Sequence, residues 1–130
     1  MKNKIAVFLD RDGVIVEDQR LHGQYLHHPH QVKLLPGVAE GIRLLNNENF
    51  LVIVVTNQGG VSKGHLGQEA LDTIHVKMET LLGYAGANID KIYAATNYDF
   101  YRKPNPGMLL KAEIDFQLDY TRNKRHQPTK

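Results

Sequence analysis

Cysteine does not occur in this 130-residue chain, which excludes disulfides, a thiolate zinc site and a cysteine nucleophile. A surplus of one charge is missing too. The formal net charge of +2 gives no argument for nucleic acid or an anionic membrane as a partner. No apolar run approaches the roughly 20 residues of a membrane span. The N-terminal "MKNKIAVFLDRDG" holds too few apolar residues before Asp10 for a signal sequence. A soluble cytoplasmic protein is therefore expected. Internal repeats, low-complexity tracts and linkers are also lacking. With 42% hydrophobic and 23% charged residues, the composition is that of one globular domain over residues 1–130, long enough to bury a core.

What is present has an alternating rhythm. "IAVFL" (5–9) and "FLVIVV" (50–55) are continuous apolar runs rich in β-branched residues, which predicts strands buried on both faces, as in a parallel sheet. "KIYAAT" (91–96) is a weaker third strand. Pro36 and Gly37 open a helical pattern with Val38, Ile42 and Leu45 on one face. A longer one follows Gly64, where Leu66, Ala70, Leu71, Ile74, Met78, Leu81 and Leu82 recur at helical spacing and read as core. A third runs through Met108, Leu109, Ala112 and Phe116, with proline in its first turn. Strand and helix alternating in this way predict a small, capless α/β domain of Rossmann-like, three-layer type with parallel strands in the order 3-2-1. Residues 17–35 show no period and carry His22, His27, His28 and His30; loops of this length are often functional.

In an open parallel sheet, ligands bind beyond the carboxyl ends of the strands. Asp10 and Asp12 lie just past the first strand, "TNQGG" (56–60) just past the second, and "RKPNPG" (102–107) after the third. One sheet edge thus gathers two carboxylates, a hydroxyl with amides, and a lysine beside an arginine. That set suits a phosphate ester with Mg²⁺, which favours carboxylate and phosphate oxygens. Asp10 is suited to attack phosphorus and form an aspartyl-phosphate. Asp12 is suited to protonate the leaving alcohol and later to activate water. Thr56 could hydrogen-bond the phosphoryl oxygens, Lys103 could neutralise them, and Arg102 could fork onto a second anionic or polar group.

The stretches "FLDRDGVI", "VVTNQGGVSKG" and "RKPNPGML", in this order, resemble the first three motifs of the haloacid dehalogenase (HAD) superfamily of phosphatases. More narrowly they resemble its histidinol-phosphate and D-glycero-D-manno-heptose-1,7-bisphosphate phosphatase branch. The likeness runs from about Ile5 to Leu118. It implies Asp10 as nucleophile, Asp12 as general acid/base, Thr56 and Lys103 as phosphoryl-binding residues, and Arg102 with Asn57 and Gln58 at the substrate. Asp10 and Asp12 would hold Mg²⁺. The loop "HGQY", with His22, Gly23 and Tyr25, resembles the branch's substrate loop at a different spacing. A small phosphorylated metabolite is the implied substrate, either a sugar bisphosphate or histidinol phosphate.

The chain departs from the branch twice. Its zinc loop of cysteines and a histidine is replaced by "NYDFY" (97–101), so no zinc is expected. Its fourth, acidic motif has no counterpart: Asp115 and Asp119 align before it, and "YTRNKRHQPTK" holds no apolar run. The expectation is a truncated or frameshifted member, or one completed by a partner, with weakened metal affinity and residues 120–130 as a frayed tail. The first strand becomes a sheet edge, which predicts self-association through it. Two functional readings stay open: a Mg²⁺-dependent phosphomonoesterase, and a catalytically impaired domain that binds a phosphorylated ligand or a partner protein. Others are weaker. An EF-hand alignment puts Phe8 and Gln19 at ligand positions neither can fill. "GGVSKG" lacks Walker spacing, so Lys63 reads as a surface residue. The loop histidines read as solvated, and the basic Arg122, Lys124, Arg125 and Lys130 as a solvated terminus.

Overall fold

The computed structural model describes residues 5–118. Asp119, the 120–130 tail and the basic residues at 122, 124, 125 and 130 lie outside the described residues. Strands β1 (Ala6–Leu9), β2 (Leu51–Asn57) and β3 (Lys91–Ala95) form one parallel sheet in the order β1-β2-β3, the predicted arrangement. Helix α1 (Val38–Asn47) follows β1, α2 (Gln68–Tyr84) follows β2 and α3 (Gly107–Phe116) follows β3.

The apolar run of β2 exists because the strand is central and both its faces are covered. Side chains alternate across a strand. Val52 and Val54 turn to one face, where they pack with Ile42 of α1, Ile74, Met78 and Leu82 of α2, and Ile15 and Val16. Leu51, Ile53 and Val55 turn to the other, against Ala6, Tyr93, Ala95 and the α3 residues Met108 and Ala112. Two helices on one face and one on the other make the three layers. Among the described residues no helix is long and apolar enough to cross a membrane.

Ile5, Phe50 and Thr96 fall just outside their strands, and larger boundary differences from the sequence expectation occur at β2, α2 and α3. Thr56 and Asn57 belong to β2 rather than to the loop after it, because β3 continues alongside them and pairs them with Ala94 and Ala95. Leu66 precedes α2, which begins at Gln68, and Pro106 is the N-cap of α3 rather than part of its first turn. Residues 17–35, aperiodic in sequence, are built from two short 3₁₀ turns, Gln19–His22 and Pro29–Gln31. Leu26 and Val32 anchor this segment in the core, and the main chain bonds Glu17 N to Lys33 O (2.8 Å) and Leu35 N to Ile15 O (3.0 Å).

Parallel register places the three carboxyl ends at one edge. Leu9 pairs with Val54, so Asp10 emerges beside Val55, one residue before Thr56.

Candidate functional site

A cavity of about 380 Å³ opens at this edge. Asp10, Asp12, Thr56, Asn57, Gln58, Arg102, Lys103 and Tyr25 all line it. His22 and Gly23 do not line it. Their 3₁₀ turn directs His22 to Glu17 (3.5 Å), and Gly23 closes the turn with a positive φ of 72°. The neighbouring Arg20 lines the cavity in their stead. Spacing alone could not reveal which side of a short turn faces inward.

Asp10 leaves β1 with its carboxylate about half exposed. Its Oδ1 accepts from the Arg11 amide (2.7 Å), and Lys103 Nζ stands 3.1 Å from Oδ2. The same ammonium donates to Val55 O at 2.9 Å, so β2's main chain aims it at Asp10. Asn57, at the end of β2, bonds the Lys103 main chain twice: its Oδ1 accepts from Lys103 N (2.8 Å) and its Nδ2 donates to Lys103 O (3.2 Å). This makes Asn57 a clamp on the lysine's backbone. Gln58 is buried and donates from Nε2 to Thr56 Oγ1 (2.8 Å) and to Asp12 Oδ2 (3.2 Å). With Gln58 as its donor, the Thr56 hydroxyl keeps its own proton to give.

Asp12 stands in a tight turn in which Ile15 N and Val16 N both bond Arg11 O, with Gly13 at φ 84°. Its carboxylate is forked by Arg11, Nε to Oδ1 at 3.0 Å and Nη2 to Oδ2 at 2.9 Å.

Arg102 lays its guanidinium over the Tyr98 ring, 4.0 Å from its centroid, and its Nη1 is buried without a hydrogen-bond partner. Lys63 Nζ stands 5.3 Å from the centroid of the same ring. Its ammonium, hydrogen-bonded to the Tyr98 hydroxyl, lowers the tyrosine pKa, with further help from the Arg102 charge. Tyr98 in turn raises that of Lys63. Gly59 permits this packing, since a Cβ there would fall 2.7 Å from Tyr98 Oη and 3.0 Å from Arg102 Nη1. Tyr25 stacks on His65 at 5.3 Å across the opening. The sequence reading missed Arg11, Arg20, His65 and Tyr98. Lys63, read as a surface side chain, is exposed and also lines the cavity.

Among the described residues no group of three or more histidine or acidic side chains is suited to a metal. The oxygen donors present still match what Mg²⁺ accepts, one or two protein oxygens with water and phosphate completing the shell. The open Asp10 carboxylate and the Asp12 main-chain carbonyl could supply them. The arrangement as a whole can hold a phosphoryl group between a carboxylate nucleophile, an ammonium and a hydroxyl, with a second carboxylate within the same cavity.

The family model described as polynucleotide kinase 3 phosphatase matches residues 4–127. A D-glycero-D-manno-heptose-1,7-bisphosphate 7-phosphatase of Thermosynechococcus vestitus is 32% identical, over 91% of this chain and 66% of its own length. A D-glycero-alpha-D-manno-heptose-1,7-bisphosphate 7-phosphatase of Burkholderia mallei is 35% identical, over 92% of this chain and 66% of its own length. The chain thus spans about two thirds of the length of these curated relatives. The crystal structure of the D,D-heptose 1,7-bisphosphate phosphatase of B. bronchiseptica, complexed with magnesium and phosphate, superposes with a TM-score of 0.81 at 29% identity. It covers 88% of this chain, which covers 65% of it.

Proposed function

Since the chain belongs to the polynucleotide kinase 3 phosphatase family within the HAD-type phosphatases, we propose that it hydrolyses a small phosphomonoester, a sugar bisphosphate of the D-glycero-D-manno-heptose 1,7-bisphosphate class. One observation carries the reading: Lys103 Nζ sits 3.1 Å from the half-exposed Asp10 carboxylate, with Thr56 and Asp12 lining the same cavity. In the first half-reaction an Asp10 oxygen bonds to phosphorus, the bond from phosphorus to the ester oxygen breaks, and Asp12 gives that oxygen a proton. In the second, water bonds to phosphorus and passes its proton to Asp12, while the bond to Asp10 breaks and frees its carboxylate. Thr56 O–H and Lys103 meet the charge on the phosphoryl oxygens. Mg²⁺, held by Asp10 and the Asp12 carbonyl, would add neutralising charge at the phosphoryl group.

A bisphosphate suits the rest of the cavity. Lys63 and Arg102 bring positive charge to the cavity lining, where Arg20 is paired with Asp18, and Arg102 Nη1 has a donor to spare. Size argues the same way, since about 380 Å³ is room for a sugar phosphate rather than a polynucleotide. The scarcity of metal-ligating side chains among the described residues favours a second reading, a domain that binds the phosphorylated sugar with little turnover. Phosphate release from heptose 1,7-bisphosphate with Mg²⁺ separates the two. Turnover abolished by Asp10→Asn supports hydrolysis, and binding without turnover supports the second reading. Self-association through β1, expected from the sequence, would give a dimer in light scattering, and a monomer would contradict it.

A further inference from the structure

Arg11 is among the largest fully buried side chains of the protein, at 2% exposure, although it stands between two aspartates of the cavity. The chain bends at Arg11 as it leaves β1, and the Arg11 side chain runs to His75 of α2 while Asp10 and Asp12 line the cavity. A buried guanidinium must have its donors met. Two of its three nitrogens fork onto Asp12, and the third, Nη1, reaches Nε2 of His75 at 3.1 Å. His75 sits in the buried stripe Leu71, Ile74, Met78 and Leu82 of α2.

Arginine has donors only, so His75 Nε2 is the acceptor and the ring is the neutral tautomer with its proton on Nδ1. The surroundings enforce this. Burial and the Arg11 charge hold the His75 pKa down to about 4, with Asp72 opposing. The guanidinium is thereby fixed at both ends. On Asp12, Oδ2 accepts two hydrogen bonds, from Arg11 Nη2 and Gln58 Nε2, while Oδ1 accepts one, from Arg11 Nε. A carboxylate oxygen offers two lone pairs. Oδ2 is full, and Oδ1 keeps one open position.

We propose that Arg11, aimed by His75, is a positioning residue that presents Asp12 with a single open lone pair on Oδ1, through which the catalytic proton passes in both half-reactions. This rests on Asp12 as the general acid and base. In the forward step the Oδ1 proton goes to the departing ester oxygen as its bond to phosphorus breaks. In hydrolysis, Oδ1 takes the proton of the water that bonds to phosphorus as the Asp10 ester breaks.

The test uses leaving groups in the full chain with Mg²⁺. An alkoxide needs a proton in order to leave, and 4-nitrophenolate does not. His75→Leu and Arg11→Lys should cut kcat/KM, which covers the steps up to departure of the ester oxygen, by about 10- to 100-fold on a sugar phosphate, part of what a positioned acid contributes, and by no more than about 3-fold on 4-nitrophenyl phosphate. His75→Gln, which keeps an acceptor, should restore the sugar phosphate rate. Equal losses of kcat/KM on both substrates, or none, would overturn the proposal. A second readout needs no turnover: the Arg11 Nε–H resonance should exchange slowly in the native chain and in His75→Gln, and quickly in His75→Leu. If no substrate releases phosphate, the hydrolase reading fails, and the resonance alone decides whether His75 fixes Arg11. A signal indifferent to His75→Leu would refute it.

Discussion

Replacing Asn57 by alanine separates a residue that touches substrate from one that holds Lys103 in place. The side-chain amide makes two hydrogen bonds to the Lys103 main chain, at 2.8 and 3.2 Å, and continues the work of the β2–β3 ladder past Ala95. At about 0.5–1.5 kcal/mol each, their loss should destabilise the fold by about 1–3 kcal/mol. Lys103 would lose one of its anchors, leaving the bond from Nζ to Val55 O. An ammonium displaced by about 1 Å from the phosphoryl group should lower kcat by roughly 100-fold. Asn57→Asp keeps the acceptor for Lys103 N and loses the donor, so it should show about half of the stability loss. Urea unfolding and steady-state phosphate release on the same samples read both quantities. If Asn57→Ala raises KM while kcat and the unfolding midpoint stay unchanged, the amide binds substrate directly and the clamp is refuted.

Other perturbations follow from the same geometry. Gly59→Ala would press a methyl to 2.7 Å from Tyr98 Oη, so Arg102 must shift; KM for a bisphosphate should rise several-fold while kcat on an aryl monophosphate holds, and an unchanged KM would contradict the contact. Arg102→Lys exchanges a planar group stacked at 4.0 Å for a compact ammonium, and titration calorimetry should show roughly tenfold weaker sugar bisphosphate binding, against equal affinity if the stack is incidental. His75 carries a pH signature. Its folded pKa, about 4, lies below the ordinary 6.5, so the unfolded chain binds the extra proton between these values. Stability should fall as pH drops from about 6.5 towards 4, by about 3 kcal/mol at most, and this slope should flatten in His75→Leu. A native-like slope in that variant would locate the acid sensitivity elsewhere.

The parts of the fold visible in sequence were those where one physical demand governs a run of residues. β2 had to be apolar throughout because helices cover both faces, and the α1 and α2 stripes had to repeat at helical spacing. Strand ends were less visible, because Thr56 and Asn57 are polar for the cavity while their backbones still pair with β3. Asp10, Asp12 and Thr56 were legible as chemistry because they lie at or just past the carboxyl ends of strands, and Lys103 because it sits in the loop that follows β3 at the same edge. Arg11 and His75 were not. Each looks out of place locally, a charge between two acids and a polar residue in an apolar stripe, and only packing α2 against the first turn shows that each answers the other. Arg20 and Tyr98 likewise depend on how two loops fold back over the sheet edge, which no periodicity records.

The proposed hydrolysis stands on Asp10 as a nucleophile towards phosphorus. Phosphate release from heptose 1,7-bisphosphate by the full chain, with Mg²⁺ and with Asp10→Asn as its matched control, tests it most directly. Turnover should disappear with the substitution and with chelator, while the substituted chain remains folded. Turnover that survives Asp10→Asn would contradict it.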